Sequence, residues 1–156
     1  MKAVKAVSIK TPLGYATVFG SDAGISRLSL GELFVEAGDV PEVLKRAEKL
    51  LCSYFNGEKV DFSEIPLLLE GTPFQKRVWN ALREVPYGEV RTYKWLAHRV
   101  GCGSSRAVGR ALSANPVPII VPCHRIVRKD GNIGGFSAGI RWKRYLLELE
   151  GWRPNP

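Results

Sequence analysis

The sequence predicts an α/β protein of the α+β kind, with a small sheet-and-helix unit over residues 1–68 and a mainly helical unit containing a helix-turn-helix over residues 69–156. Three observations carry this. Residues 3–30 hold short β-branched or alternating runs divided by glycine turns, whereas beyond residue 70 the apolar residues recur at helical spacing. Two of the later helical stretches meet at Gly101-Cys-Gly103, the sequence form of a helix-turn-helix. Charge divides along the same line, since residues 1–69 hold 8 Lys+Arg against 9 Asp+Glu and residues 70–156 hold 15 against 6.

The runs 3–10, 14–19 and 24–30, punctuated by Pro12-Leu-Gly14, Gly20 to Gly24 and Gly31, read as a small antiparallel sheet. A helix follows. Pro41 suits its first turn, Leu44, Ala47, Leu51, Tyr54 and Phe55 form its apolar face, and Asn56-Gly57 ends it, with Cys52 as a structural residue. A short strand near Val60–Phe62 leads into the connection Ile65–Gly71, where the boundary falls. Thr72 caps the next helix and Pro73 takes its first position, with Phe74, Val78, Ala81 and Leu82 on one face and a stop at Val85-Pro-Tyr-Gly88. Thr92 caps a helix over Tyr93–Val100, and Ser104 or Ser105 caps another that runs to Ala114, where Asn115-Pro116 disfavours continuation. In that helix Val108 and Leu112 face the core, Arg106 and Arg110 share another face, and Ala107, Gly109, Ala111 and Ala114 add little bulk, so it can approach a nucleic acid closely or pack tightly on another helix. Val117–Val121 reads as extended, Asp130-Gly131 as a hairpin-like turn, and Ile133–Gly139 as a flexible binding loop. The last helix, Ile140–Glu150, turns Trp142, Tyr145, Leu146 and Leu149 inward and ends at Gly151.

Composition narrows the function. The net charge is +8, and a one-sided positive field attracts polyanions, of which nucleic acid is the usual one inside a cell. No apolar stretch approaches the length of a membrane span, and the start lacks the pattern of a cleaved leader, so a cytoplasmic protein with no membrane partner is expected. Three irregularly spaced cysteines, Cys52, Cys102 and Cys123, fit a reducing compartment rather than a disulfide framework. With only His98 and His124 beside them and no CxxC or HxxxH pair, no metal site is expected, and no cofactor either.

The chemistry concentrates at Cys123-His124-Arg125. A free thiol is only a few per cent ionised at neutral pH, so a neighbouring base or cation decides its reactivity, and His124 and Arg125 both qualify, with Arg125 read as bracing the segment rather than as catalytic. The run Asn115-Pro-Val-Pro-Ile-Ile-Val-Pro-Cys-His-Arg-Ile-Val127, with Ser105-Arg-Ala-Val-Gly-Arg-Ala-Leu112 upstream, closely resembles the O6-alkylguanine-DNA alkyltransferases over most of residues 70–151. That resemblance implies a ribonuclease-H-like N-terminal domain over 1–68 and a DNA-binding, alkyl-accepting domain over 69–156. It also implies that Cys123 accepts the alkyl group, His124 takes the thiol proton through a water, Glu150 orients the histidine, Asn115 ties the recognition helix to the active-site turn, and Tyr93 donates to the departing guanine. Arg106 would replace the extruded base, for which unpairing and unstacking cost on the order of a few kcal/mol. DNA contacts extend by resemblance along Ala107, Gly109, Arg110 and Ala111, and the pocket is closed by Val127, Gly135, Phe136 and Ser137.

Phe136 stands where well-known members have tyrosine, and the N-terminal zinc ligands of some members are absent. The implied partner is duplex DNA carrying O6-alkylguanine, with O4-alkylthymine as a second lesion, and the implied state is a monomer. A thioether product has no electrophilic carbonyl for water to attack, so transfer would be irreversible and stoichiometric. Two readings from other classes stand beside this one: a non-catalytic module that marks alkylated DNA, against which Cys123 argues, and a cysteine hydrolase, which leaves the helix-turn-helix unexplained.

Overall fold

The computed structural model describes residues 4–31, 33 and 39–153. The chain forms two compact units, Met1–Glu70 and Gly71–Pro156. In the first, β1 (Lys5–Thr11), β2 (Gly14–Ser21) and β3 (Gly24–Leu30) make an antiparallel sheet in the order β1-β2-β3. Ala3, placed in the first strand by the sequence, lies outside the described residues. Register pairs Val7 with Val18 and Val18 with Leu28, and it shifts at Phe19/Gly20. Only glycine fits at that irregularity, because a Cβ on Gly20 would lie 2.5 Å from the Gly24 carbonyl oxygen.

Helix α1 (Glu42–Phe55) buries Leu44, Ala47, Leu51 and Tyr54 completely. Pro41 is its N-cap rather than part of its first turn. Cys52, expected to be structural, lies one residue out of phase with the apolar stripe and is exposed. No strand forms at Val60–Phe62. Three residues with an aspartate in the middle are a weak strand, and Phe62 packs against Tyr54 instead, at 5.9 Å between ring centroids. The segment after it takes the edge position. Ile25 N donates to Pro66 O and Leu68 N to Ile25 O, an isolated parallel bridge.

The second unit begins with α2 (Pro73–Leu82), opened by a capping box in which Thr72 and Gln75 satisfy each other's backbone N–H. Its buried Trp79 donates its indole N–H to the Ala111 carbonyl at 2.8 Å. After β4 (Arg91–Thr92) come α3 (Tyr93–Arg99) and α4 (Ser105–Ser113), capped by the hydroxyls of Thr92 and Ser104 and joined through Gly101, whose φ of 71° suits glycine. Leu96, Val108 and Leu112 pack between the helices. β4 pairs in parallel with β5 (Ile126–Val127), and α5 (Ile140–Leu149) closes the unit. The inward face of α5 carries Trp142, Lys143, Leu146 and Leu147, while Tyr145 and Leu149 are only half-buried. Among the described residues no helix is long and apolar enough to cross a membrane.

Candidate active site

The segment that carries Cys123 is fixed by one side chain. Asn115, at the end of α4, donates from Nδ2 to Val121 O at 2.8 Å and accepts at Oδ1 from Val117 N at 3.0 Å. These bonds replace the expected extended run Val117–Val121 with a closed turn, in which Val121 N also donates to Val117 O and Ile119 has a φ of 75°. A β-branched residue in the left-handed region is strained. Full burial of Val117, Ile119, Ile120 and Val121 holds it there. The chain then tightens into a 3₁₀ turn over Cys123–Arg125, so that three consecutive functional side chains point in different directions.

Glu150 collects two of them. As the C-cap of α5 it is almost fully buried, with His124 Nε2 2.6 Å from Oε2, Arg125 Nε donating to Oε1 at 2.8 Å, Arg125 Nη2 to Oε2 at 3.1 Å, and Gly88 N to Oε1 at 3.1 Å. Burial alone would raise its pKa, but the hydrogen bonds and charges of His124 and Arg125 outweigh it and hold the carboxyl well below the usual range. An ionised carboxylate only accepts, so His124 donates from Nε2 and keeps its lone pair on Nδ1. His124 Nδ1 has no protein partner among the described residues. Burial pushes the imidazole pKa below its ordinary value despite the neighbouring carboxylate, so the ring is a neutral base at neutral pH.

Cys123 is 5% exposed, and burial pushes its pKa up to about 11, against the opposing pull of the Asn115 hydrogen bond and the Lys143 charge. The group at rest is therefore a thiol, and a base is needed to ionise it. Arg125 braces the segment, as the sequence reading has it, and is not the cation that acts on the thiol, because its guanidinium is taken by Glu150 and by Val85 O at 2.7 Å. Lys143 acts instead. Its ammonium is buried, donates to Ile126 O at 2.6 Å and Gly135 O at 3.0 Å, and stands 5.8 Å from the centre of the Tyr93 ring. Burial lowers its pKa to about 8, with the Cys123 thiolate pulling the other way. Sequence reasoning passed over Lys143. The signal was its spacing, since Lys143, Leu147 and Glu150 are four and three residues apart on one face of α5.

A cavity of about 220 Å³ opens beside the thiol, lined by Tyr93, Gly109 and Leu112 on one hand and Gly135, Phe136 and Ser137 on the other. Tyr93, in the first turn of α3, is half-buried, and its pKa is raised chiefly by burial, with a Gly135 backbone hydrogen bond opposing. Gly134 permits that approach, as a Cβ there would meet the Tyr93 hydroxyl at 2.8 Å. Ser113 also lines the cavity, with its hydroxyl turned back onto Gly109 O. Three of the four residues expected to close the pocket are present. Val127 instead buries its side chain with Ile133 and Leu147. Arg106 and Arg110 project from α4 into solvent, Ala107 is half-buried, and Ala111 is 2% exposed on the packed side of the helix. Among the described residues no group of three or more His, Cys, Asp or Glu side chains could hold a metal ion.

Both units of the chain are similar to known proteins. Residues 73–152 match the 6-O-methylguanine DNA methyltransferase DNA binding domain, and residues 4–69 match the ribonuclease-like domain of the same proteins. A methylated-DNA–protein-cysteine methyltransferase of Methanosarcina acetivorans is 41% identical over 149 residues, covering 91% of this chain and 95% of its own. The crystal structure of the Mycobacterium tuberculosis O6-methylguanine methyltransferase superposes with a TM-score of 0.83 at 40% identity over 95% of this chain and 93% of that one. The Mycobacterium tuberculosis protein OGT in complex with DNA gives the same TM-score at 40% identity, over 93% and 91% of the two chains.

Proposed function

The chain belongs to the 6-O-methylguanine DNA methyltransferase family, and from that premise we propose that Cys123 takes the alkyl group from O6-alkylguanine in duplex DNA. The protein is a methylated-DNA–protein-cysteine methyltransferase that repairs by direct reversal. The observation that carries the assignment of residues is the buried series from Cys123 through His124 to Glu150, with the cavity at its open end. The lesion is extruded into the cavity while Arg106 fills the space left in the duplex. His124 Nδ1 accepts the Sγ proton by way of a water, and the thiolate attacks the saturated carbon on O6. An S–C bond forms, the C–O bond breaks with its electron pair on the base, and the Tyr93 hydroxyl supplies a proton to the departing guanine.

Glu150 keeps the imidazole in the tautomer that can act as a base, and Asn115 holds the thiol's turn. Because the product is a thioether, one molecule repairs one lesion. On this reading the reaction takes place in the cytoplasm on duplex DNA, and the steps above call on side chains of the protein alone. A module that binds alkylated DNA without chemistry is not favoured, since the thiol and its base are both in place. The test is intact-protein and peptide mass spectrometry after incubation with O6-methylguanine duplex. A single methyl on Cys123 is expected, with Cys123→Ala abolishing uptake while DNA binding persists. Methylation at Cys52 or Cys102 would falsify the assignment.

A further inference from the structure

The end of α4 is set by a residue of another helix. In its last turn the Ala114 N–H donates to Arg110 O at 3.1 Å, four residues back, but the Asn115 N–H donates to Leu112 O at 3.1 Å, three residues back. Pro116 disfavours helical geometry at Asn115, so the Ala111 carbonyl is left for a partner outside its own helix. Trp79 of α2 is that partner. Its indole Nε1–H donates to Ala111 O at 2.8 Å in the interior, where Trp79 is 1% and Ala111 2% exposed. The ring is closely seated as well, since a Cβ on Gly71 would lie 2.6 Å from its Cη2 and 2.7 Å from its Cζ3.

We propose that Trp79 is a positioning residue for the alkyl transfer, because its indole N–H fixes the last turn of α4 and, through it, the Asn115 side chain that shapes the Cys123 turn. The inference rests on the reaction proposed above. The connection from indole to thiol is short. Asn115 lies four residues beyond Ala111, its Nδ2 donates to Val121 O, and the same oxygen accepts from Cys123 N at 2.8 Å. A buried carbonyl stripped of its donor is costly, so without the indole N–H the last turn has to re-form around Ala111 O, either by drawing the Asn115 N–H back to it or by tilting toward water. Both movements carry Asn115 away from the Val117 N–H and the Val121 carbonyl that it bridges. The thiol responds to such a shift, since the Asn115 side chain draws its pKa down against the effect of burial. Any nearby carbonyl would satisfy a buried indole, but this one takes the carbonyl on which the start of the active-site turn depends.

The test uses free O6-benzylguanine, which reacts without DNA and allows the maximal single-turnover rate to be separated from the half-saturating concentration. Trp79→Phe keeps an aromatic ring in the core and removes the N–H. It is expected to lower the maximal rate by about tenfold and to leave the half-saturating concentration within about twofold of the parent. Val78→Ala, at a neighbouring fully buried position of α2, removes packing alone, and should lower the urea midpoint while keeping the maximal rate within about twofold. In the parent, hydrogen exchange followed by NMR should give the Trp79 indole proton and the Asn115 Nδ2 protons protection factors within about threefold of each other, as members of one opening unit. A Trp79→Phe protein as fast as the parent, a Val78→Ala protein as slow as Trp79→Phe, or an indole proton protected about tenfold less than the Asn115 amide overturns the proposal. If Trp79→Phe does not fold, the exchange measurement on the parent decides. Should the parent take up no benzyl group while the two sites still exchange together, the Trp79 contact stands and the reaction assigned to Cys123 is what fails.

Discussion

At Tyr93 and Phe136 two aromatic residues share a cavity but differ in one hydroxyl. In the proposed reaction the Tyr93 hydroxyl meets the negative charge that builds on the departing base, and a donor aimed at developing charge contributes far more than one aimed at a neutral group. Tyr93→Phe should slow single-turnover transfer from methylated duplex by about tenfold or more, given the cost of losing such a donor. Phe136→Tyr should change the rate by less than about threefold, since a bond to an already satisfied group adds only about 0.5–1.5 kcal/mol at best. A Tyr93→Phe protein as fast as the parent would leave Tyr93 a packing residue. Much at this scale was legible in the sequence, because Cys123, His124 and Asn115 sit at fixed spacing in one continuous motif. Burial was not. Nothing in the chain around Cys123 announces a thiol pushed up to about 11, which depends on how completely the folded chain buries it.

Helix α5 shows what periodicity can and cannot supply. Its limits were readable from Gly139 and Gly151, but the choice between two adjacent faces was not, because Trp142 and Leu146 border both. The face that won presents Lys143, Leu147 and Glu150, so one helix carries the cation near the thiol and the carboxylate behind its base. Lys143→Met removes that cation and leaves the Ile126 and Gly135 carbonyls without their donor. Transfer should fall by about tenfold, the effect of roughly one pKa unit on the thiol. In the parent, the rate should rise with pH and level off near pH 8 as the Lys143 ammonium loses its proton. The inflection should vanish in Lys143→Met. Rates measured from about pH 6 to 10 decide it, and an unchanged inflection in the variant would show that another group titrates there. The turn at Val117–Val121 was misread as extended for a related reason: apolar, β-branched residues favour strands, and only the Asn115 side chain, acting six residues ahead, imposes the left-handed Ile119.

Across the whole molecule, the same buried groups set how stability responds to acid. His124 has a folded-state pKa below its ordinary 6.5, so the unfolded chain takes up that proton first and stability falls as pH drops below about 6.5. Glu150, held below its ordinary 4.5, adds stability above that value which is lost as pH falls further toward its folded pKa. The urea midpoint should therefore decline steadily from pH 7 downward. Glu150→Gln should lower the midpoint at neutral pH, because Arg125 is left buried without its carboxylate, and should flatten only the part of the decline below about pH 4.5, since the His124 contribution remains. A parent midpoint that does not move between about pH 7 and 5 would count against a buried neutral His124. The two-part architecture was visible in charge and periodicity, whereas the meeting of residue 88 with residue 150 was not, since only folding brings a loop amide to a helix end. That meeting also orders events in time. A ribosome adds about 5–20 residues per second, and Cys123 leaves it well before Glu150 does. Until α5 emerges and docks, the nascent chain carries a thiol whose base has no orienting partner, so a polypeptide still being translated is not yet armed, although its helix-turn-helix has already left the ribosome.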